Sequence, residues 1–461
     1  MIAPVPRIGE DNLLGRLGEA QRRAAARLGS AFARGGHTLY LVGGSVRARV
    51  LDRGAGDLDF ASDAPPEAIR AAAQAAGATA IFAANERFAT VGLQLEGEAI
   101  EITTFRSPGG VVGDLGARDF TVNAMALAVA GPEPTGALYD PYDGRGDLVR
   151  RTIRGVGDPA ARLAEDPLRV LRAVRFAADL HSAIEPETRE AVVAAAPALA
   201  GVSRERIGQE LTRLLLSQDV AGGLQLLERL GLLEFTLPEI LPLVQFDAEG
   251  SKDLWTHTRL VVAATPQRRA VRWAALLHDA AKPQTYGLQD GEVHFFGHEV
   301  QGARLARQAL ARLKVERDLI DGVSILIELH GRPTQYGPDW TDGAVRRLML
   351  DTGEWRDDLL DLARADVTSG RAQTRKRAQE RIDGLEAHCA RLLDEQELAK
   401  LQSPLDGVAL MALFDRPPGP WIRPLKDHLR GLVIDGAMAP DDVEGATAEA
   451  RRWMAEHGGE G

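Results

Sequence analysis

The apolar positions of this chain follow two rhythms. Ahead of Arg162, short apolar runs sit between glycines and turn residues. Leu39-Tyr40-Leu41-Val42 is broken by Gly43-Gly44, and Asp57-Leu58-Asp59-Phe60, Ala89 to Leu95 and Ala99 to Phe105 follow. Runs of this length and punctuation predict strands. Helices are expected over residues 11 to 35, where Leu13, Leu14, Leu17 and Ala20 fall at helical spacing, near Val46 to Leu51, and from Pro65-Pro66 to a stop at Gly77. Phe120 to Ala130 is also expected to be helical, and from Arg162 nearly to the end the spacing is helical. The predicted fold is an α+β head with a small mixed sheet, followed by mainly α-helical domains. Loops at Gly131-Pro132-Glu133-Pro134 and Asp140-Pro141 close the head, and weaker boundaries fall near Glu239 and Arg371. The expected domains are 1–144, 145–238, 239–370 and 371–461.

Side chains alternate along a strand, so Asp57 and Asp59 point one way while Leu58 and Phe60 point into the core. Two adjacent carboxylates repel each other unless a cation lies between them. The turn at Gly43-Gly44 offers backbone N–H groups suited to phosphate oxygens. Together these features describe a site for Mg²⁺ and a nucleoside triphosphate. Taken alone, such a pair is more often a set of solvated loop residues or turn caps, so its neighbours carry the argument. Glu101, on a later strand, is either a third carboxylate of the site or an exposed strand residue.

Two further patterns carry chemistry. Asp166, Arg169, Arg172 and Arg175 recur every third residue on one expected helix, with Asp166 as its cap and Pro167 in its first turn. Asp accepts and Arg donates hydrogen bonds, so such a pair can match the edge of cytosine or adenine. The plain alternative is a surface ion pair worth about 0.2–0.5 kcal/mol. Farther along, His257, His278-Asp279, His298, His330 and Asp366 form an ordered series that uses four of the ten histidines. Imidazole and carboxylate together suit a divalent transition metal. Singly, each histidine is more often a surface or helix-cap residue, and His294 reads as a bystander.

Composition narrows the choice. A chain of 461 residues exceeds one core. The single cysteine, Cys389, excludes an internal disulfide and a Cys-rich zinc site. No apolar run reaches the ~20 residues of a membrane span, and MIAPVPRIGEDNLLGRL lacks the layout of a signal peptide. No membrane partner and a cytoplasmic location are expected. The net charge of −11 argues against indiscriminate nucleic-acid binding. Yet from Arg145 to Arg175 eight arginines stand against four acids, a strip that can hold RNA with modest, salt-sensitive affinity.

Leu41 to Asp63 (LVGGSVRARVLDRGAGDLDFASD) resembles the head of template-independent nucleotidyltransferases of the DNA polymerase β superfamily, in particular the class II tRNA nucleotidyltransferase and poly(A) polymerase family. The likeness continues through Arg118-Asp119-Phe120-Thr121-Val122-Asn123-Ala124, Asp140 to Gly144, Ile153 to Pro159, Glu165-Asp166-x-x-Arg169 and Ser203 to Leu211, and covers nearly the whole chain. Ala117 and Ala48 stand where the family usually has Arg and Asp. The resemblance implies Asp57 and Asp59 as catalytic Mg²⁺ ligands and places Gly44 and Arg47 at the triphosphate. It also implies Arg118 and Asp119 at the ribose, and Asp166, Arg169, Arg172 and Arg175 facing the nucleotide. The histidine series resembles the HD metal-dependent phosphohydrolases. That likeness implies His257, His278, Asp279 and Asp366 as core ligands, with His298 and His330 at a second metal or phosphate. Leu401 to Trp453 resembles the family's C-terminal segment, which supports the tRNA body.

Family members that build the whole C-C-A end carry a flexible loop of a few dozen residues after Thr-Thr-Phe-Arg. Here eleven residues, SPGGVVGDLGA, separate Arg106 from Arg118. So short a connection has little reach across a pocket. The expected activity is therefore addition of C-C from CTP to the tRNA acceptor end, with a separate A-adding enzyme working beside it and a second phosphohydrolase activity in the HD domain. Complete CCA addition, which also uses ATP, and poly(A) polymerisation are the nearest alternatives. An HD nucleotide phosphohydrolase with a non-catalytic RNA-binding head is a different class, as is a catalytically silent RNA-binding protein. Intact Asp57 and Asp59 argue against both.

Overall fold

A computed structural model describes residues 13–457 apart from 54–55, 86–88, 132–134, 247–252, 290–291, 368–371 and 394–401. The start of the helix expected over 11 to 35, most of the expected Gly131–Pro134 loop and the expected boundary near Arg371 lie outside the described residues. The chain divides into two compact units, Met1–Pro238 and Glu239–Gly461.

The first unit is built on seven strands: β1 (Leu39–Val42), β2 (Leu58–Ser62), β3 (Ala80–Asn85), β4 (Thr90–Leu95), β5 (Glu98–Thr104), β6 (Ala126–Ala130) and β7 (Leu138–Tyr139). Their order is β3-β4-β5-β2-β1-β6-β7. Only β2 and β5 run parallel to each other. Helices α1 (Glu19–Arg34) and α3 (Pro66–Ala75) cover one face. Helix α2 (Gly44–Val50) follows β1 directly. On the other face α4 (Gly110–Gly116) sets Val111 and Leu115 against Tyr40, Val42, Ala61, Ala124, Ala126 and Ala128. With both faces covered, β1 is buried throughout, which is why its sequence is a continuous apolar run without alternation.

Phe120 to Ala130 is not the expected helix. Thr121–Asn123 makes one 3-10 turn, and Ala126–Ala130 is β6, paired with β1 and β7. All five residues of β6 are buried. An alanine-rich run has no period that separates strand from helix, and burial on both faces overrides its helical propensity. Small residues also let α1 come close: a Cβ on Gly29 would lie 3.0 Å from Val129. The edge strands β3 and β7 were not foreseen.

Seven helices follow in this unit: α5 (Gly144–Arg150), α6 (Pro159–Glu165), α7 (Arg169–Asp179), α8 (Pro186–Ala195), α9 (Arg204–Leu215), α10 (Val220–Arg229) and α11 (Leu233–Thr236). Two short strands, β8 (Thr152–Ile153) and β9 (Ala183–Ile184), pair in parallel. Asp158, Glu185, Ser203 and Asp219 accept first-turn N–H groups and fix where α6, α8, α9 and α10 begin. Helix α7 starts two residues later than the sequence suggests. Asp166 is extended, and its Oδ1 accepts from the Leu168 N–H at 3.2 Å.

The second unit is helical: α12 (Leu241–Val244), α13 (Leu254–Ala264), α14 (Arg269–Leu277), α15 (His298–Arg312), α16 (Arg317–Leu329), α17 (Asp342–Thr352), α18 (Arg356–Asp366) and α19 (Ala372–Leu392). A hairpin of β10 (Gly287–Gln289) and β11 (Glu292–His294) precedes α15. Three last helices, 407–414, 422–434 and 443–457, enclose Leu405, Leu410, Leu425, Leu429, Ala446 and Ala450. Among the described residues no helix is long and apolar enough to cross a membrane.

Gly43 has φ 67° and ψ −131°, and a Cβ there would meet Arg118 Nη1 at 2.8 Å. Gly43→Ala is expected to cost about 1–3 kcal/mol of stability. Urea unfolding of the variant checks this, and a midpoint equal to the parent's would show that the turn does not require glycine.

Candidate active sites

The carboxylate site is assembled by β2 and β5. Their parallel register sets Asp59 opposite Glu101, and Asp57 lies just ahead of β2. Leu58 and Phe60 are buried, Asp59 is half-buried and Asp57 exposed. Ser45, in the first turn of α2, stitches the glycine turn to this strand. Its hydroxyl donates to the Asp57 carbonyl at 2.6 Å and accepts from the Asp59 N–H at 3.1 Å. Burial, then Glu101 and Asp57, push the Asp59 carboxyl up from its usual value. Asp57, Asp59 and Glu101 offer all-oxygen donors of the type a hard cation such as Mg²⁺ prefers, and its charge would offset their mutual repulsion, although their oxygens are not all within 4.8 Å of one another as those of the histidine groups are.

Beside it stands a group of arginines held by buried acids. Asp114 of α4 pairs with Arg118 at 2.9 Å and accepts the Arg106 backbone N–H at 3.2 Å. Asp119 accepts from Arg172 at 2.6 Å, from Asn123 Nδ2 at 2.9 Å and from the Phe120 N–H at 2.9 Å. Burial opposes its charge, but Arg172 and Asn123 outweigh burial and hold Asp119 well below the usual carboxylate range. Asn123 Oδ1 accepts from Arg47. The guanidinium carbons of Arg47, Arg172 and Arg175 stand 5.0, 5.2 and 4.0 Å from the centre of the Phe176 ring. Burial and Arg175 lower Arg47 to about 10. Arg175 is held in turn by buried Glu210 of α9 and by Asp179.

The stripe read from the sequence therefore divides. A three-residue step falls about 60° short of a full turn, so Arg169 and Arg175 differ by about 120° around α7. Arg172 and Arg175 join the Phe176 group. Asp166 and Arg169 instead line a cleft of about 1210 Å³ together with Arg106, Arg162, Ser203 and Arg206. Asp57, Asp59, Glu101 and Gly44 do not line this cleft, although the end of β5 leads from Glu101 to its wall at Thr104–Arg106. Asp166 Oδ2 pairs with Arg206 of α9 at 2.7 Å rather than with Arg169. Arg169 binds Glu165 at 2.9 Å and the carbonyls of Arg162 and Ala117. Ser45, Asp114, Arg206 and Glu210 were not singled out from the sequence. Each acts through a partner 12 to 40 positions away, or through a buried i,i+4 pair, and no local pattern marks such contacts.

The second unit gathers its histidine series at helix ends. His278 and Asp279 follow α14, His298 opens α15, His330 follows α16, Asp366 ends α18, and His257 lies on α13. Two groups result, each with ligand atoms within 4.8 Å of one another: His257, His278 and Asp366, and Asp279, His298 and His330. Asp279 lies between them, with Oδ2 3.3 Å from His278 Nε2 and Oδ1 3.7 Å from His298 Nε2. The Nδ1 atoms of His278, His298 and His330 each face a carbonyl three residues back, at 2.9, 2.8 and 2.6 Å. A carbonyl only accepts, so Nδ1 carries the proton and Nε2 is left as a ligand atom. His278 Nε2, Asp279 Oδ1 and His298 Nε2 are buried without a hydrogen-bond partner. Orphaned ligand atoms of this kind fit divalent transition metals. Burial opposes charge on His278, yet Asp279 and Asp366 push its pKa up; a bound cation would reverse that balance. Lys282 pairs with Asp279 at 2.7 Å. His294 lies outside both groups and stacks on Phe296.

Known proteins match this arrangement. The poly A polymerase head domain matches residues 39–112, the probable RNA and SrmB-binding site of polymerase A matches 183–243, and the HD domain matches 253–395. The A-adding tRNA nucleotidyltransferase of Deinococcus radiodurans is 33% identical over 433 residues, 90% of this chain and 95% of its own length. The chain belongs to the tRNA nucleotidyltransferase family. A second tRNA nucleotidyltransferase, the CC-adding enzyme of Thermus thermophilus, is 33% identical over 428 residues, 90% of this chain and 92% of its own. The crystal structure of the Bacillus stearothermophilus CCA-adding enzyme in complex with CTP superposes with a TM-score of 0.66 at 25% identity, covering 95% of this chain and all of that one. The expected mixed-sheet head and helical body are the architecture found. The protein is a tRNA nucleotidyltransferase of a metal-dependent family.

Asp119→Ala leaves Arg172 half-buried without its counter-charge and is expected to cost about 3–5 kcal/mol near neutral pH. Because the folded pKa of Asp119 is depressed, its contribution is full above the unfolded value near ~4 and is lost as pH falls through the folded value. The gap between parent and variant, measured by denaturant unfolding, should shrink steadily below about pH 4. A gap that is small at pH 7, or that widens in acid, contradicts this role.

Proposed function

We propose that this enzyme adds C-C from CTP to the tRNA acceptor end and leaves the terminal A to a separate enzyme. Sequence identity does not choose among specificities, since A-adding and CC-adding relatives both stand at 33%. What supports the reading is the segment between Arg106 and Arg118. Seven of its eleven residues form α4, with Val111 and Leu115 in the core and Asp114 paired to Arg118. The Ser107 hydroxyl donates to the Gly113 carbonyl at 2.6 Å, and a Cβ on Gly113 would lie 2.0 Å from the Pro108 carbonyl oxygen. A packed connection of this kind holds one pocket shape and has no length left to swing toward a second base.

In this reading Asp57, Asp59 and Glu101 hold Mg²⁺. When bound, the metal neutralises phosphate charge and eases departure of pyrophosphate. The Gly44 turn and Arg47 take the triphosphate, with Arg172 and Arg175 adding positive charge. Arg118 faces the ribose. Asp119, whose oxygens are already engaged, acts by holding Arg172 and Asn123. Asp166 accepts the cytosine N4 amino group while Arg169 donates to N3 and O2. Arg206 occupies one oxygen of Asp166 and leaves the remaining lone pairs toward the cleft. The tRNA acceptor end follows the basic strip, in the cytoplasm.

For the second unit we propose metal-dependent hydrolysis of phosphate esters. His257, His278, Asp279, His298, His330 and Asp366 hold the metals, and the orphaned Nε2 and Oδ1 atoms support it.

On denaturing gels, a tRNA lacking its end should gain two residues with CTP and stop, with or without ATP. Extension by ATP of a tRNA already ending in C-C overturns the CC-only reading. Asp59→Ala should abolish extension while tRNA binding persists; continued extension removes the metal assignment. His278→Ala with Asp279→Ala should remove bound transition metal and phosphate release but spare C addition. Loss of both activities together would contradict two independent centres.

A further inference from the structure

Of the seven exposed large apolar side chains described in the second unit, Leu260, Val408 and Val443 stand singly and four lie close together in sequence. Tyr286, Leu288, Phe296 and Val300 all fall within one stretch around the β10–β11 hairpin, and Phe296 is 71% exposed. Single exposed apolar residues need no explanation, but a concentration of them does. Phe296 lies flat against His294, with ring centres 4.8 Å apart and planes 10° from parallel. In the same stretch Phe246 packs edge to face on Tyr286 at 5.6 Å and on Phe295 at 6.1 Å, and Tyr286 and Phe295 meet at a tilt at 6.1 Å.

The patch adjoins the HD centre through two direct links. The Phe295 carbonyl accepts from His298 Nδ1 at 2.8 Å. Lys282 Nζ lies 5.5 Å from the centre of the Phe295 ring and 2.7 Å from Asp279 Oδ2. Phe296 thus follows directly on the residue that joins Lys282 and His298, and stands two positions ahead of His298 itself. One ligand carries both complements: a planar base to stack and a phosphate to meet Lys282 and the cations that the ligand groups would hold. An apolar peptide or lipid would use the rings but not Lys282 and the histidines.

We propose that the Phe296–His294 stack is a nucleobase platform that gives the HD centre preference for nucleotide phosphates over phosphates without a base. This rests on the reading of that centre as a phosphohydrolase, and it names the substrate class. Base–aromatic stacking is sequence-tolerant, so the platform selects for a base, not for one letter.

Equilibrium dialysis of the full chain against radiolabelled AMP and ribose 5-phosphate tests the platform without relying on turnover. The parent should bind AMP about tenfold more tightly than ribose 5-phosphate, the loss expected for one base stack. Phe296→Ala, a change at an exposed position, should erase that preference, and Phe296→Trp should restore it. Gel-shift with a single-stranded RNA bearing a 3′-phosphate distinguishes an RNA end from a free nucleotide as the source of the base. Because His278→Ala with Asp279→Ala leaves the head site intact, AMP retained there is measured separately in that variant and subtracted. Equal binding of AMP and ribose 5-phosphate by the parent, or a preference unchanged in Phe296→Ala, overturns the platform. Association of the chain with itself that Phe296→Ala abolishes, without any base preference, assigns the patch to a second copy instead. A base preference without phosphate release leaves the platform standing and removes the phosphohydrolase reading.

Discussion

Concentrating positive charge in a folded head is the constraint on which the rest of the structure depends. Arg47, Arg172 and Arg175 surround one phenylalanine ring, and each opposes the charge of the others. At an effective dielectric of about 20, two like charges 4 Å apart cost about 4 kcal/mol. Asp119, Asn123, Glu210 and Asp179 offset that repulsion from behind. These residues come from the turn after α4, from α7 and from α9, so the elements are locked together by the same contacts that aim the guanidinium groups. If the arginines receive a triphosphate as proposed, they are already held in place for it, which is the condition for electrostatic stabilisation to act without reorganisation.

The carboxylate side obeys the complementary rule. Asp59 and Glu101 are register partners on parallel strands, and Asp57 adds a third negative group. Their mutual repulsion, added to burial, pushes the Asp59 carboxyl up, and a bound cation would offset it. The HD centre repeats this logic with different donors. His278, His298 and His330 sit where helices begin or end, and their Nδ1 atoms face a carbonyl three residues back. Both centres are therefore positioned by backbone geometry, while their ligand atoms remain open.

How much of this was legible in the sequence follows from the range of each signal. The β1 turn and the Asp57–Asp59 alternation are local and can be read directly, whereas the histidine series, spread from His257 to Asp366, is legible only as an ordered pattern that resembles the HD family. Strand β6 could not, because alanine carries no period and only burial between β1 and β7 made it a strand. The three-residue spacing from Asp166 to Arg175 suggested one polar stripe, but helical geometry rotates it onto two surfaces. The pairing of Asp166 with Arg206 joins positions forty residues apart and depends on how α9 packs against α7. Such contacts exist only once the helices are docked.

The most direct test of the account is a crystal structure of the enzyme with CTP, Mg²⁺ and a tRNA lacking its last two residues. The account predicts the cation between Asp57 and Asp59, the triphosphate at Arg47, and the cytosine edge against Asp166 and Arg169. A metal bound away from the aspartates, or a base lying outside the cleft beside α7, would contradict it.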